Sequence, residues 1–541
     1  MESIGRTTVP KTSRPRGDFR AAGPVRPIAI QMSSVGLGRA RLIPVGLALF
    51  LCIGWELGLP RPATVRADEG ARSGAGEASR EPDPLIGPST PLPGQIVADP
   101  ANPQWLMYQG AGPFFLCAPG DPEGFLYRGA RNPDGTRSGD QDALINKLAG
   151  TGANGIYLMA VRSHGGDGGV SENPFVDSDP AQGIDPDILD QWEGWFSEMD
   201  ASGIVTYLFL YDDGAKVWDT GDSVGPEEQS FIRELVDRFE HHTHLIWAVA
   251  EEYSESYSAQ RVSNIASEIR AADDYDHPIA VHKLNGLSFT EFADDPSIDQ
   301  FAIQYGASDA DGFHDALTMA WDSAAGRYNL NLVEGHPDAF GTEARLRSWA
   351  VAMGGGYMMH LRWDIASSTV GDLEDCGRLV EFMEFTEFQE MAPHDELALG
   401  GSEHVLASPG TGYIAYAANL SGAMGLRDLV GGTYALRWLD IATGTIITQT
   451  DMTLPDGDQA WSPPAGFGSE VAVYVLRTGP VSGPGDLNED GNVDVLDVQL
   501  CANVFLGTET DQEIIANADL DGDDTVNVLD VQLVVNIILA A

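Results

Sequence analysis

Short apolar runs alternate with helix-period segments through the middle of the chain, and this alternation constrains the fold more than any other feature. Between the runs, apolar residues recur at helical spacing, as at Ile188, Trp192 and Phe196. Alternation of this kind predicts parallel strands covered by helices. Eight such runs occur: Pro113–Ala118, Gly155–Val161, Ile204–Tyr211, Leu245–Ala250, Pro278–His282, Gln300–Tyr305, Asn329–Val333 and Tyr357–Trp363.

The number of runs helps to choose between two forms of such a sheet. Eight strand–helix units, closing with a helix near Leu373–Met391, are typical of a (β/α)8 TIM barrel, here over residues 105–394. An open doubly wound sheet is the alternative, and it more often carries a Gly-rich phosphate turn after its first strand. This sequence has no such turn, so we predict a barrel.

After Pro393 the apolar pattern changes from helical spacing to strict alternation. Strand-like segments at Tyr413–Ala418, Thr433–Leu439 and Val471–Leu476 predict an antiparallel β-sandwich over residues 395–478. A Gly- and Pro-rich linker, 479–485, leads to a small all-α module with an internal repeat over residues 486–541. The predicted fold class is therefore α/β, with two smaller domains behind the barrel.

The N-terminal residues 1–67 have the features of an export signal. Basic residues precede the uncharged apolar run Leu42–Trp55, and small residues favour a cut near Ala67. The run is shorter than the roughly 20 residues that span a bilayer, so a cleaved signal peptide is favoured over a permanent membrane span. A start at Met32 would place the basic residues at the usual distance. We predict a secreted or cell-surface protein, with residues 68–104 as a disordered linker.

The charge of the chain limits its partners. It has 31 Lys and Arg against 81 Asp and Glu, a formal net charge of −50. Such a surface repels polyanions, which excludes nucleic acid and anionic membrane as the main partner. Cations and neutral ligands remain.

The C-terminal repeat contains two acidic loops that begin 33 positions apart, at Asp486 and Asp519. Oxygen side chains stand at positions 1, 3, 5, 9 and 12 of each loop, and position 7 offers a backbone carbonyl, which is the spacing that surrounds Ca2+. Acidic turns without an ion are the alternative, but duplicated spacing argues against them. The predicted ligands of two Ca2+ sites are Asp486, Asn488, Asp490, Asn492, Asp494 and Asp497, and Asp519, Asp521, Asp523, Thr525, Asn527 and Asp530.

Over residues 486–540 the sequence resembles a type I dockerin. Asp497 and Asp530 at position 12 agree with that family, whereas Asp524 replaces the usual glycine at position 6 of the second loop. The resemblance implies docking to a cohesin on a scaffold or cell surface. Similar repeats also occur on secreted bacterial proteins without an evident scaffold, so the partner stays open.

Acidic residues follow two of the predicted barrel strands. The fourth run leads into Glu251 and Glu252, and the seventh into Glu334. Barrel enzymes place their chemistry at the carboxyl ends of the strands, and two carboxylates at one mouth are what glycosidic cleavage requires. The alternative is that these are ordinary loop acids in an acid-rich chain.

Residues 105–478 resemble a clan A glycoside hydrolase, most closely the apiosidase-like barrels followed by a C-terminal β-sandwich named for collagen binding. Trp247 to Glu252 matches the family's Trp-x-x-x-Asn-Glu, with Glu251 in place of Asn. The resemblance implies that Glu252 is the acid/base and Glu334 the nucleophile, without a catalytic cofactor. It also implies substrate-binding or orienting roles for Arg162, Glu251, Tyr305 and Trp363.

The hypothesis that follows is a secreted, calcium-binding glycoside hydrolase that cleaves a plant or algal polysaccharide by a retaining mechanism. The rival is a non-catalytic carbohydrate-binding or cell-surface protein that uses the barrel as a scaffold. Glu251 favours the rival, because the amide it replaces would have bonded a sugar hydroxyl. Other polar strand ends, for which structural roles are favoured, are Asp121, His164, Asp212, Asp213, His282, Lys283 and Asp364.

Overall fold

The computed structural model describes residues 90–120, 124–163, 172–479, 485–488, 493–523 and 525–540. The predicted signal peptide lies outside these residues, as do most of the predicted linker, Asp121 and His164, and the loop residues Asp490 and Asn492. In the part of the chain that is described, no helix is long and apolar enough to cross a bilayer.

A small antiparallel sheet precedes the barrel. Its strands are β1 (Ile96–Ala98), β2 (Leu106–Tyr108) and β3 (Gly112–Phe114). Ile96 is fully buried, and its backbone N–H donates to the carbonyl of Thr243, just before a barrel strand begins, at 2.9 Å. Trp105 donates its indole N–H to the Met391 carbonyl at 3.1 Å. The predicted disordered linker is therefore wrong for residues 90–104, because a few buried apolar side chains and backbone bonds hold this segment against the barrel.

Eight parallel strands form the barrel, in chain order. The first is β4 (Cys117–Pro119), and the loop after it carries a hairpin of β5 (Ala130–Arg131) and β6 (Arg137–Ser138). Asn154 N donates to Cys117 O and Tyr157 N to Gly120 O, both at 3.2 Å, which joins the first barrel strand to the second. This confirms the predicted barrel. The remaining strands are β7 (Gly155–Val161), β8 (Val205–Tyr211), β9 (Leu245–Ala250), β10 (Ile279–Lys283), β11 (Gln300–Gly306), β12 (Asn329–His336) and β13 (Tyr357–His360).

Helices cover the outside of the barrel, and several of them begin at polar caps that the sequence supplies. Asp185 accepts a hydrogen bond from Asp187 N, Ser258 from Arg261 N, and Thr369 from Asp372 N. Residues 284–299, between β10 and β11, contain no helix. The helices are α1 (Gln141–Ala149), α2 (Pro186–Ala201), α3 (Pro226–Phe239), α4 (Ala259–Ala272), α5 (Ala310–Ala324), α6 (Thr342–Met353) and α7 (Val370–Glu384).

Two antiparallel sheets form the predicted β-sandwich around a core that includes Val405, Leu436 and Trp438. The first strand already begins at Ala392, three residues before the predicted boundary. The larger sheet has the order β14-β16-β17-β22-β19-β20, and the smaller has the order β15-β18-β21. The strands are β14 (Ala392–Pro393), β15 (Ala398–Gly400), β16 (His404–Ser408), β17 (Gly412–Ala417), β18 (Met424–Leu429), β19 (Gly432–Asp440), β20 (Thr445–Leu454), β21 (Gly457–Trp461) and β22 (Val471–Arg477).

The sandwich packs against α5 and α6 of the barrel. Arg345 on α6 forms a two-bond ion pair with Glu470, at 2.7 and 2.9 Å. Trp349 stacks on Tyr416 with ring centroids 5.5 Å apart. A bidentate, half-buried ion pair beside a buried aromatic pair fixes orientation as well as adding stability.

The C-terminal module contains α8 (Val495–Phe505), α9 (Gln512–Asn517) and α10 (Val528–Ala540). Its small core is formed by Leu487, Cys501, Ala518 and Val534. These helices agree with the predicted all-α module, in which α8 and α10 occupy equivalent places in the two repeats. So small a core supplies little stability by itself, and ions in the acidic loops would add to it.

Candidate active site

Glu334 lies near the carboxyl end of β12, where an irregularity changes the pairing with β11. Ile303 pairs with Leu332, but Gln304 pairs with Glu334, so Val333 is an extra residue in β12. The bulge places Gln304 beside Glu334. The Glu334 side chain is largely buried, and its Oε1 lies 2.7 Å from His336 Nε2.

Glu252 follows β9 directly and has a left-handed backbone, with φ 37° and ψ 44°. Its carboxylate accepts a hydrogen bond from the amide of Gln304, the residue that pairs with Glu334. Its backbone N–H donates to His282 Nδ1 at 3.3 Å. Burial lowers the pKa of His282 to about 3, so this ring is neutral and can accept. Three neighbouring strands thus hold the Glu252 carboxyl on the side of the barrel mouth where Glu334 lies.

The surroundings of Glu252 favour its protonated form. Burial raises the pKa of this carboxyl, and the negative charges of Glu334, Glu255 and Asp213 raise it further, while the hydrogen bond from Gln304 lowers it in part. Carboxylate oxygens of Asp213, Glu252 and Glu255 lie within 4.8 Å of one another. A raised pKa is what a general acid requires near neutral pH.

Glu251 is buried more deeply than its neighbour. Its Oε1 accepts a hydrogen bond from the hydroxyl of Tyr157, on the second barrel strand, at 3.0 Å. The pKa of Tyr157 is raised by burial first and then by the charges of Glu251 and Glu334. The carboxylates of Glu251 and Glu334 therefore both lie close to the phenol of Tyr157. Glu251 and Glu252 face the barrel interior at different depths.

Trp363 and Glu334 line one cavity of about 20 Å³, which is room for about one water molecule. The Trp363 side chain is 3% exposed, its indole N–H donates to the Ala339 carbonyl at 2.9 Å, and its ring stacks on His360 at 4.1 Å. β13 ends at His360, so Trp363 lies just beyond the strand. The ring is near Glu334 but covered in this conformation.

Tyr305 is not brought to Glu334. Its ring lies against Phe313 of α5, with centroids 6.3 Å apart. Tyr305 pairs with Gly335 on β12. A side chain at position 335 would contact Phe313 and Arg347, so this position faces the outside of the barrel. The bulge in β12 gives the inward position beside Glu334 to Gln304 instead.

Arg162 follows β7 and is buried. Its backbone forms a two-way bridge with Glu172, at 2.7 and 3.0 Å. Its positive charge lowers the pKa of Tyr127, which burial otherwise raises well above the ordinary value. An ionic contact between Arg162 and Glu334 stays a prediction.

Three residues at the mouth were not among the predicted site residues: Gln304, His336 and Tyr157. Gln304 is a polar residue near the end of a strand, and a search confined to the last residue of each run passes over it. His336 stands two residues after Glu334, which places both on the same side of a regular strand. Tyr157 lies mid-strand, and its role appears only from the contact with Glu251.

The two acidic loops of the C-terminal module fit a hard cation. Asp497 Oδ1 accepts from Leu487 N at 2.7 Å, and Asp530 Oδ1 accepts from Leu520 N at 2.8 Å, so the repeats fold alike. Carboxylate oxygens of Asp519, Asp521 and Asp523 lie within 4.8 Å of one another. Such convergent oxygens are what Ca2+ requires.

Family models match two parts of the chain. Residues 139–337 match the apiosidase-like catalytic domain, and residues 484–539 match the dockerin type I domain. The chain carries an apiosidase-like domain and a type I dockerin. Both resemblances are confirmed. The enzyme class of the apiosidase-like barrel is glycoside hydrolase. Dockerin type I domains bind calcium and dock to cohesins.

Solved structures share the fold of the apiosidase-like barrel and the domain behind it. A glycoside hydrolase family 5 protein from Bacteroides vulgatus is 13% identical, with a TM-score of 0.55, covering 71% of this chain and 94% of its own. A protein described as a glycoside hydrolase is 12% identical, with a TM-score of 0.54, covering 72% of this chain and 99% of its own. No curated protein matches the sequence.

Proposed function

We propose that this chain is a secreted glycoside hydrolase that cleaves a plant or algal polysaccharide with retention of configuration, using Glu334 as nucleophile and Glu252 as acid/base. The observation that carries the proposal is Gln304, which pairs with Glu334 on the neighbouring strand and bonds the Glu252 carboxyl. The Gln304 amide thereby holds the Glu252 carboxyl beside the strand position that carries Glu334.

In the first step, protonated Glu252 gives its proton to the glycosidic oxygen while Glu334 attacks the anomeric carbon, and the bond to the leaving sugar breaks. In the second step, Glu252 takes a proton from water, which attacks the glycosyl-enzyme and releases Glu334. The negative charge of Glu334 helps to keep Glu252 protonated, and that charge is lost when the covalent bond forms. The pKa of Glu252 should then fall, which suits its change from acid to base.

Glu251 distinguishes this site from the family pattern. A carboxylate at this position can accept hydrogen bonds from sugar hydroxyls, but unlike an amide it cannot donate while it is ionised. The Tyr157 hydroxyl already occupies one lone pair of Glu251. We infer that the subsite selects a sugar that presents hydroxyl donors here rather than acceptors.

Calcium and a cohesin are the proposed ligands of the dockerin. Each loop supplies six of the twelve predicted oxygen ligands, most of them carboxylates, to one Ca2+. The helices that follow begin with exposed apolar pairs, Val495 and Leu496 in one repeat and Val528 and Leu529 in the other. These equivalent pairs offer a docking surface in duplicate, and large exposed apolar residues of this kind commonly mark protein–protein contacts.

A panel of aryl glycosides and plant and algal polysaccharides, assayed with the wild type and Glu334→Gln, tests the proposed activity. The wild type should turn over at least one class, and Glu334→Gln should lose on the order of 10⁴-fold or more in kcat. Glu381→Gln, an exposed position on α7, is the matched control and should stay fully active.

The rival function predicts a different result from the same panel. Binding of a polysaccharide without turnover of any substrate, and no difference between the wild type and Glu334→Gln, would favour the non-catalytic carbohydrate-binding protein. Glu251 in place of the family's Asn is the observation that keeps this rival under test. Proton NMR of the first product separates retention from inversion.

A further inference from the structure

Two buried histidines and a carboxylate meet where α5 of the barrel contacts the β-sandwich. His314 lies on α5, His404 begins β16, and Asp395 lies between β14 and β15 of the β-sandwich. Each residue offers one atom that could bind a metal, and these three atoms lie within 4.8 Å of one another. The two imidazole rings are stacked, with centroids 3.5 Å apart. Three residues distant in sequence thus bring metal-ligating side chains to one point.

The hydrogen bonds of His314 place the lone pair of one of its ring nitrogens opposite a lone pair of the Asp395 carboxylate. Its Nδ1 lies 3.0 Å from the carbonyl of Ala350, which can only accept, so Nδ1 carries the proton. The Nε2 of a neutral ring is then an acceptor, yet it lies 2.6 Å from Asp395 Oδ2. An ionised carboxylate also only accepts. A positive charge is needed between them, either a second proton on His314 or a metal ion.

His404 points to the metal ion. It is 9% exposed, and both of its ring nitrogens are buried without a hydrogen-bond partner. Its Nδ1 lies 3.5 Å from the same Asp395 Oδ2 that His314 faces. A proton on His314 would satisfy His314 and Asp395 but leave both ring nitrogens of His404 without a hydrogen bond, which is unfavourable for buried polar atoms. A metal ion would engage all three residues.

We propose that His314 Nε2, His404 Nδ1 and Asp395 Oδ2 bind a divalent transition metal of the Zn2+ type that joins the barrel to the β-sandwich. Imidazole nitrogens favour such ions over Ca2+ or Mg2+. Ligand atoms of one tetrahedral zinc lie roughly 3.3 Å apart, so the closest pair must separate by less than about 1 Å. One of the two stacked rings must also turn, so that both nitrogens face the ion.

The surrounding contacts orient these ligands as metal sites require. Ala350 O holds the other nitrogen of His314, and Val405 N donates to Asp395 Oδ1 at 2.9 Å. The exposed Asp311 carboxylate lies 3.8 Å from His404 Nε2 and can accept its N–H or approach as a further ligand. Outer partners of this kind fix the tautomer and position of a ligating histidine. The Asp395 side chain is 39% exposed, which gives the ion a path of entry.

Zinc titration of the full chain tests the proposal. After chelator treatment and with calcium in excess to fill the dockerin loops, the wild type should bind one more Zn2+ than His404→Gln or Asp395→Asn. His394→Gln is the matched control, because His394 bonds the Glu396 side chain and lies outside the cluster. A second group, Glu193, His241 and His242, can add to the total, so the difference between variants decides. Zinc should also raise the Tm of the wild type more than that of His404→Gln.

Equal zinc binding by the wild type, His404→Gln and Asp395→Asn would overturn the proposal and assign the missing charge to a proton on His314. Circular dichroism shows whether each variant folds. If a variant does not fold, anomalous diffraction at the zinc edge from wild-type crystals decides the question. A peak between His314 and His404 supports the site, and none there overturns it.

Discussion

The barrel mouth and the dockerin differ in how their functional residues are distributed along the chain. At the mouth, Glu252, Gln304 and Glu334 come from three strands and meet only when the barrel has formed. In the dockerin, each calcium loop draws its ligands from twelve consecutive residues, from 486 and from 519. The mouth is therefore a product of tertiary structure, whereas each loop is a local unit completed by its ion. A substitution that impairs the barrel mouth should leave the dockerin loops intact, and the reverse should also hold.

The largest effect is expected at the mouth. Glu252→Gln should lower kcat/KM about 10²–10⁴-fold on substrates with poor leaving groups, because no group then protonates the leaving oxygen. Activated aryl glycosides should be affected much less in the step that releases the aryl group. Steady-state kinetics over a series of leaving groups measures the difference, and calcium binding by the same variant should equal that of the wild type.

The pH profile gives a second readout of Glu252. Since its pKa is raised and the protonated form is active, activity should fall as the pH rises through that pKa, which lies above the ordinary value of a glutamic acid. Glu252→Gln should lose this basic limb. Glu251→Gln is the comparison variant, and if it shows the same leaving-group dependence and the same lost limb, then Glu251 is the acid.

A smaller, regional effect is expected from removing calcium. Treatment of the full chain with chelator should reduce the helical circular dichroism contributed by α8 and α10, because the unneutralised carboxylates of each loop repel one another. Glycosidase activity at the mouth should not change. Calcium should restore the signal and magnesium should do so poorly, since magnesium demands a tighter octahedron.

Asp530→Asn separates the two loops. It should weaken one calcium site and leave the loop from Asp486 to Asp497 unaffected, which calorimetry reports as one tight site fewer. Loss of both sites together would show that the repeats fold as one unit and would weaken the contrast between local and tertiary sites.

The smallest effect is expected from Gln304. Its amide lowers the pKa of Glu252 by bonding the carboxylate, so Gln304→Leu should move the basic limb of activity to higher pH. Exposed Gln260 provides the control substitution, Gln260→Leu. An unchanged limb would show that Gln304 does not contact Glu252 in solution.

Features that depend on local periodicity could be predicted from the sequence. Seven of the eight predicted runs coincide with a barrel strand, whereas the first run, Pro113–Ala118, also includes part of β3 and shares only two residues with β4. The sheet β1–β3 could not be predicted, because its stability comes from contacts with distant residues, among them Thr243 and Met391. The missing helix between β10 and β11 is explained in the same way: Phe289 stacks on Phe301 at 4.1 Å, so a loop covers the strand where a helix was expected.

At the barrel mouth, the positions of single site residues were also only partly predictable from the sequence. Glu252 lies just beyond β9 and Glu334 lies near the end of β12, but the orienting role that the resemblance implied for Tyr305 would require this residue to face Glu334. Val333 adds a residue to β12, and this bulge places Gln304 and not Tyr305 beside Glu334. A bulge does not alter the apolar pattern of a strand, so the sequence alone does not reveal it.

The left-handed backbone of Glu252 implies a trade-off between thermal stability and catalytic activity. A residue with a Cβ carries a penalty of about 1 kcal/mol in this conformation, which glycine avoids. Glu252→Gly should therefore give a protein that melts at a higher temperature and lacks the acid. Thermal stability alone would favour glycine at this position, whereas the proposed reaction requires the carboxyl group of Glu252.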